Sequence, residues 1–73
     1  SRVVQVAAYR DRSAACVLVD RLQRLGFDSY LSGTRSTSPQ RYRVRVRPSK
    51  GSSIAPLKNS LESRGFNVWV TRE

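Results

Sequence analysis

The chain has no histidine, a single cysteine and only five acidic residues among its 73, and each scarcity removes a class of chemistry. Without an imidazole, neither a serine nor a cysteine nucleophile has its usual base. The lone Cys16 excludes an internal disulfide and any cysteine-based zinc site. It falls near the apolar stripe of a helix, where a small core or boundary residue is the expected role. The acids Asp11, Asp20, Asp28, Glu62 and Glu73 are scattered, and none forms the close pair that acid–base catalysis uses. Glycine-rich phosphate loops and nucleophile elbows are absent. No apolar run reaches the length of a membrane span, and no signal-peptide pattern opens the chain. The expectation is a binding module, not an enzyme, with no cofactor and no metal.

What the chain has in excess is arginine. Fourteen Lys and Arg against five acids give a formal charge of +9, and twelve of the fourteen are Arg. Arginine offers a planar fork of donors for carboxylate or phosphate and stacks on flat rings. A polyanionic partner is the default expectation; a solvated basic surface serving solubility is the alternative, and the grouping of several Arg on one strand favours the first. At this length one small domain with a thin core is expected over residues 1–73. A chain that begins inside a strand pattern reads as a domain excised from a longer protein.

The sequence also repeats itself. Val4-Gln5-Val6 is echoed forty positions on by Val44-Arg45-Val46, and Ala15 by Ala55. Leu22-Gln23-Arg24-Leu25-Gly26-Phe27 is echoed thirty-nine positions on by Leu61-Glu62-Ser63-Arg64-Gly65-Phe66. Each copy reads strand, helix, strand. Residues 2–8 alternate as a first strand. Asp11 or Ser13 caps a helix running to about Leu25, whose stripe is Ala15, Leu18, Val19, Leu22 and Leu25. Gly26 and Phe27 then stop it. Residues 28–32 form a second strand, and 33–40, with no apolar side chain, a mobile connection. Residues 41–47 form the clearest strand, ended by Pro48. Ser52 or Ser53 caps a second helix with Pro56 in its first turn and a narrower stripe of Ile54, Leu57 and Leu61. Gly65-Phe66 ends that helix, and residues 67–71 form the last strand.

Two such units predict an α+β, βαββαβ ferredoxin-like (RNP-like) sandwich: a four-stranded antiparallel sheet of order 4-1-3-2 with both helices on one face. Alternation assigns the faces. Val4, Val6, Ser29, Leu31, Tyr42, Val44, Val46, Val68 and Val70 should meet the helices. The open side should carry Val3, Gln5, Ala7, Tyr30, the row Arg41, Arg43, Arg45 and Arg47, and Trp69. Four Arg at alternate positions repel one another and an exposed Trp gains nothing in water, so the arrangement argues for a ligand. Ordinary alternatives are an edge-strand role for Tyr30, a Trp69 that covers one end of the core, and Arg as edge protection. The last fits poorly on a central strand.

Two polyanions suit such a face. Single-stranded RNA fits the layout, which is also that of an RRM. The aromatic pair of an RNP1-type run is missing, however, and the central strands offer Gln5, Ala7 and Arg instead. An acidic glycan fits the residues, since sugars present hydroxyls to amides and guanidinium groups and apolar faces to aromatics.

The sequence resembles the SPOR domains of bacterial cell-envelope proteins. Val4-Gln5-Val6-Ala7-Ala8-Tyr9 is similar to the family's opening Val-Gln-x-Gly-Ser-Phe, and Tyr42-Arg43-Val44-Arg45-Val46-Arg47-Pro48 to its Tyr-Arg-Val-x-Val-Gly-Pro. The spacing of Ala15, Leu18, Leu22 and Gly26-Phe27 matches its first helix, and Leu61, Gly65, Val68 and Val70 its end. The resemblance implies binding to peptidoglycan glycan strands stripped of stem peptides, which keep a free lactyl carboxylate on each muramic acid. It implies a periplasmic or wall-associated protein enriched at the division septum, with other division or cell-wall proteins as further partners. Carried over by position, the binding groups are Gln5, Ala8 (where the family has Ser), Arg43 and Trp69, with Arg41 beside them. This chain departs from the family where Ala7-Ala8 replaces Gly-Ser and where Arg47-Pro48-Ser49 replaces Gly-Pro-Phe. The whole expected site is Gln5, Ala8, Tyr30, Arg41, Arg43, Arg45, Arg47 and Trp69. An RRM-like nucleic-acid module is the alternative.

Overall fold

A computed structural model of the chain describes residues 1–33 and 41–73. In chain order its elements are β1 (Arg2–Tyr9), α1 (Arg12–Arg24), β2 (Asp28–Gly33), β3 (Tyr42–Arg47), α2 (Ile54–Ser63) and β4 (Trp69–Arg72). The expected element order is therefore the observed one, with ends shifted by one or two residues at β1, β2, β3 and β4. The mobile connection expected over 33–40 lies outside the described residues except for Gly33, which closes β2.

All strand pairings are antiparallel, and the sheet order is β2-β3-β1-β4, the expected order read from the other edge. Both helices pack on one side. Ala15 and Leu22 of α1 and Leu61 of α2 are fully buried against Val4, Val44 and Val46. No described helix is long and apolar enough to cross a membrane. A polar clamp fixes α1 on β2: the buried Ser29 hydroxyl donates to the Val19 carbonyl at 2.7 Å, and Gln23 Nε2 donates to the Ser29 carbonyl at 3.0 Å. These bonds satisfy groups that burial would otherwise leave costly.

Both helices end the same way, as their repeated sequence requires. Gly26 N–H donates to the Gln23 carbonyl and Phe27 N–H to the Leu22 carbonyl; Gly65 and Phe66 make the equivalent bonds to Glu62 and Leu61. Gly26 and Gly65 sit at φ 94° and 92°, where only glycine is unstrained. Phe27 and Phe66 fold back on the core. At the other end of α1, Asp11 accepts from Ser13 N–H at 3.0 Å, whereas Ser53 caps α2 without a side-chain bond.

Three expectations need correcting. Leu25 is not in the apolar stripe: it caps α1 and is 41% exposed, because the helix has already turned its last residue past the sheet. The second expectation is the even echo of the two helices: Ala15 is buried in α1, whereas its sequence counterpart Ala55 is exposed in α2, as the narrower stripe of Ile54, Leu57 and Leu61 allows. The third concerns β1. Val4 pairs with Val46 and Gln5 with Arg45, but the next pair is Ala7 with Val44, so a bulge inserts Val6 between them. Val6 joins the core and Ala7 shares the helix side with Val44. Ala7 is thus not on the open face, and the residue that reaches it is Ala8, paired with Arg43. A bulge re-aims everything beyond it by one position.

A Cβ built at Gly26 or Gly65 meets nothing within 4 Å, so the cost of substitution there is backbone strain alone. Gly26→Ala and Gly65→Ala should each lower the free energy of urea unfolding by about 1–2 kcal/mol, and the double variant by about the sum.

Candidate functional site

Residues opposite one another across antiparallel strands point to the same side, so the register gives the open face row by row. The middle row is Tyr30, Arg45, Gln5 and Trp69, one from each strand in the order β2, β3, β1, β4. One row towards the end of β3 stand Asp28 and Arg47, then Val3 and Thr71. One row the other way stand Ser32, Arg43 and Ala8. No described element packs over this side. The three guanidinium groups of β3 and the indole of β4 therefore share one uncovered surface. Arg41 precedes β3 outside the ladder and is half-buried.

The surface is not uniformly open. Trp69 is 49% exposed, but Gln5, its neighbour in the row, is only 7% exposed. Gln5 Oε1 accepts from Arg45 Nε at 3.0 Å, which restricts the orientation of that guanidinium and leaves its two terminal nitrogens outside this bond. Among the described residues no carboxylate pairs with Arg43 or Arg45. Together Arg43, Arg45 and Trp69 present two unneutralised cations and an apolar ring face on one side of the sheet.

At the other end the face is closed by its own side chains. Arg47 reaches Glu73, its terminal nitrogen 2.6 Å from Glu73 Oε2, and its guanidinium carbon lies 3.9 Å from the centre of the Tyr30 ring. Tyr30 comes from β2, Arg47 from β3, and Glu73 follows β4, so the ion pair crosses β1. Val3 lies on β1 on this same side, next to Arg47 and Thr71, and is only 1% exposed although no helix covers it. Tyr30, Arg47 and Glu73 make a lid at this end of the sheet, and its ion pair spans the strand that carries Val3. The Tyr30 ring face that was expected to meet a ligand is occupied by Arg47. Glu73 is the participant that sequence reasoning missed; its sole signal was same-side parity with Trp69 and Thr71 along β4.

The titration behaviour follows from this contact. Burial, then the nearby Glu73 carboxylate, pushes the Tyr30 phenol up from its usual value. Its hydroxyl is buried without an acceptor in well-aligned geometry, although Glu73 is close enough to act on it. The hydrogen bond to Glu73 pushes the Arg47 guanidinium up. The hydrogen bond from Arg47, and then the nearby Tyr30 hydroxyl, hold Glu73 below the usual glutamate range. Among the described residues no three His, Cys, Asp or Glu come together.

These shifts set a pH window for the lid. Glu73 has a lowered folded pKa, so its contribution is present above the ordinary glutamate value and lost as pH falls through the depressed one. Tyr30 has a raised folded pKa, so its contribution is present below the ordinary tyrosine value and lost as pH rises through the elevated one. Between about pH 4.3 and about pH 10, NMR signals of the Arg47 Nε–H and the Tyr30 ring should stay fixed, and both should move on acidification below that window. In Glu73→Gln the acid-side movement should vanish.

No curated protein and no solved structure matches the chain significantly. A family model described as SPOR domain matches residues 2–72. SPOR domains are non-catalytic modules that bind peptidoglycan and direct cell-envelope proteins to the division septum. The match runs through every strand and helix of the fold, and the chain belongs to the SPOR domain family.

Proposed function

We propose that the open sheet face binds peptidoglycan glycan strands from which amidases have removed the stem peptides, and so brings its parent protein, in the periplasm or cell wall, to the septum. The observation that carries this reading is the side-by-side placement of Arg43, Arg45 and Trp69 on the uncovered face. A denuded strand repeats one carboxylate per muramic acid, and guanidinium groups at alternate positions of β3 stand roughly 6–7 Å apart, ready to meet anions and hydroxyls along a chain. Trp69 offers its indole face to a sugar ring, a contact in which apolar C–H surface leaves water. Gln5 acts chiefly by holding Arg45 in place, since most of its side chain is out of reach. Ala8 supplies room beside Arg43 where a hydroxyl is absent. Arg41 extends the cationic strip at the entry to β3.

RNA is the weaker candidate on the same face. The open positions of the two central strands are Val3, Gln5, Ala8, Arg43, Arg45 and Arg47, none aromatic, so there is no platform for stacked bases where an RRM has one.

Co-sedimentation with purified sacculi, before and after amidase treatment, tests the reading. Retention should rise after stem-peptide removal. Trp69→Ala and Arg43→Ala should each weaken it by about tenfold or more, as loss of a charge-assisted bond or an anchoring ring does. Retention should persist at salt concentrations that abolish phosphate-driven RNA binding. Equal retention on treated and untreated sacculi would count against denuded-strand recognition. Trp69 is the sole tryptophan, so its emission should respond to the treated glycan directly.

A further inference from the structure

We infer that Arg47 and Tyr30 form a carboxylate-binding subsite at one end of the open face, and that Glu73 is its internal occupant, exchangeable with a carboxylate of the ligand. The inference deepens the glycan reading above and rests on it for the identity of the ligand.

The corner is built to hold a carboxylate because it holds one. Arg47 is stacked at 3.9 Å on the Tyr30 ring, which limits the orientations of an otherwise flexible side chain before any anion arrives. Its fork carries five N–H donors, and one terminal nitrogen is engaged with Glu73 Oε2. The Tyr30 hydroxyl is buried against the same spot without a well-aligned acceptor. Glu73 therefore fills the corner incompletely: one donor is met at short range and another is left poorly satisfied, a cost that a better-placed carboxylate removes.

The occupant is also easily displaced. The Arg47 and Glu73 side chains are 45% and 35% exposed, and ion pairs this open to water are held weakly. What keeps Glu73 in place is tethering, since a group on the end of β4 has a high local concentration at Arg47. A ligand carboxylate must compete with that tether, and its apparent affinity is the intrinsic affinity multiplied by the fraction of molecules in which the corner is vacant. A strand presenting several carboxylates can meet Arg43 and Arg45 first and then exchange with Glu73. An isolated anion has to displace Glu73 unaided. The device thus favours a polyvalent acidic ligand over single small anions.

The test is an NMR titration with sodium N-acetylmuramate, which carries the lactyl carboxylate, against uncharged N-acetylglucosamine. It compares the parent, Glu73→Gln, Glu73→Ala, Arg47→Ala and the double variant Arg47→Ala/Glu73→Gln, each checked for folding by its urea transition. Both Glu73 variants should bind N-acetylmuramate about three- to tenfold more tightly than the parent, with saturable shifts at the Arg47 Nε–H and the Tyr30 ring, and should gain nothing for N-acetylglucosamine. The gain should vanish when Arg47 is also replaced. Equal affinity in the parent and both Glu73 variants, or a gain that survives loss of Arg47, overturns the subsite and leaves the contact as a lid over Val3. Sacculi retention of the same variants separates the two readings. Tighter N-acetylmuramate binding by a protein that ignores amidase-treated sacculi would keep the subsite and remove denuded glycan as its ligand.

Discussion

The register between β1 and β3 is the constraint on which the remaining geometry depends. These are the two central strands, and Val4 opposite Val46 and Val44 opposite Ala7 place the fully buried valines under both helices. A slip of one residue would turn Val44 and Val46 to water and carry the arginines into the core. Burying even one unpaired guanidinium costs far more than a small domain has to spare. The alternation of Arg and Val in β3 therefore fixes the register by exclusion as much as by attraction. The bulge at Val6 adjusts it: one extra residue lets β1 give both Val6 and Ala7 to the helix side and still deliver Ala8 beside Arg43.

With the register fixed, the sheet has one committed face and one available face, and the available face is graded along β3. At the Arg47 end, Glu73 neutralises the cation, which lies over the Tyr30 ring, and Val3 is shut from solvent. In the middle, Arg45 is oriented by Gln5 without being neutralised. At the Arg43 end, Ser32 and Ala8 flank the guanidinium with small side chains. Unneutralised positive charge therefore lies towards Arg45 and Arg43, although Arg47 is the most exposed of the three, and Trp69 stands across from the middle of the row.

How much of this was legible in the sequence follows from the range of the interactions involved. Helix ends were legible because Gly-Phe, twice, is a local signal: a left-handed glycine and a residue that folds back need no distant partner. The faces of β3 were legible because strict alternation survives any register that buries the valines. The face of β1 was legible as far as Val6, which joins the core as expected. Beyond it, Ala7-Ala8 continues a run of small apolar residues, with no polar side chain to mark where alternation breaks. The SPOR resemblance pointed to Ala8, strict alternation pointed to Ala7, and the bulge decides for Ala8. The lid was out of reach because Tyr30 and Arg47 come from two strands and Glu73 follows a third, and their convergence depends on several strand registers at once. A Trp69 that caps the core was a fair alternative on composition; its pairing with Gln5 puts it on the open face instead.

The same convergence explains why a hydrophobic residue is tolerated on the solvent side of a central strand. Val3 cannot reach the core, and left bare it would be an apolar spot amid cations. Glu73 draws Arg47 across β1, Arg47 brings the Tyr30 ring under its guanidinium, and together they shield Val3 with the aliphatic and aromatic parts of polar side chains. That shield is the part of the open face whose burial does not depend on a ligand. Because its outer layer is an exposed ion pair and its inner layer the Tyr30 ring beneath Arg47, the two layers need not open together. In the exchange inferred above, Glu73 leaves while Arg47 stays stacked on Tyr30, so an incoming anion meets a corner still shaped to receive it.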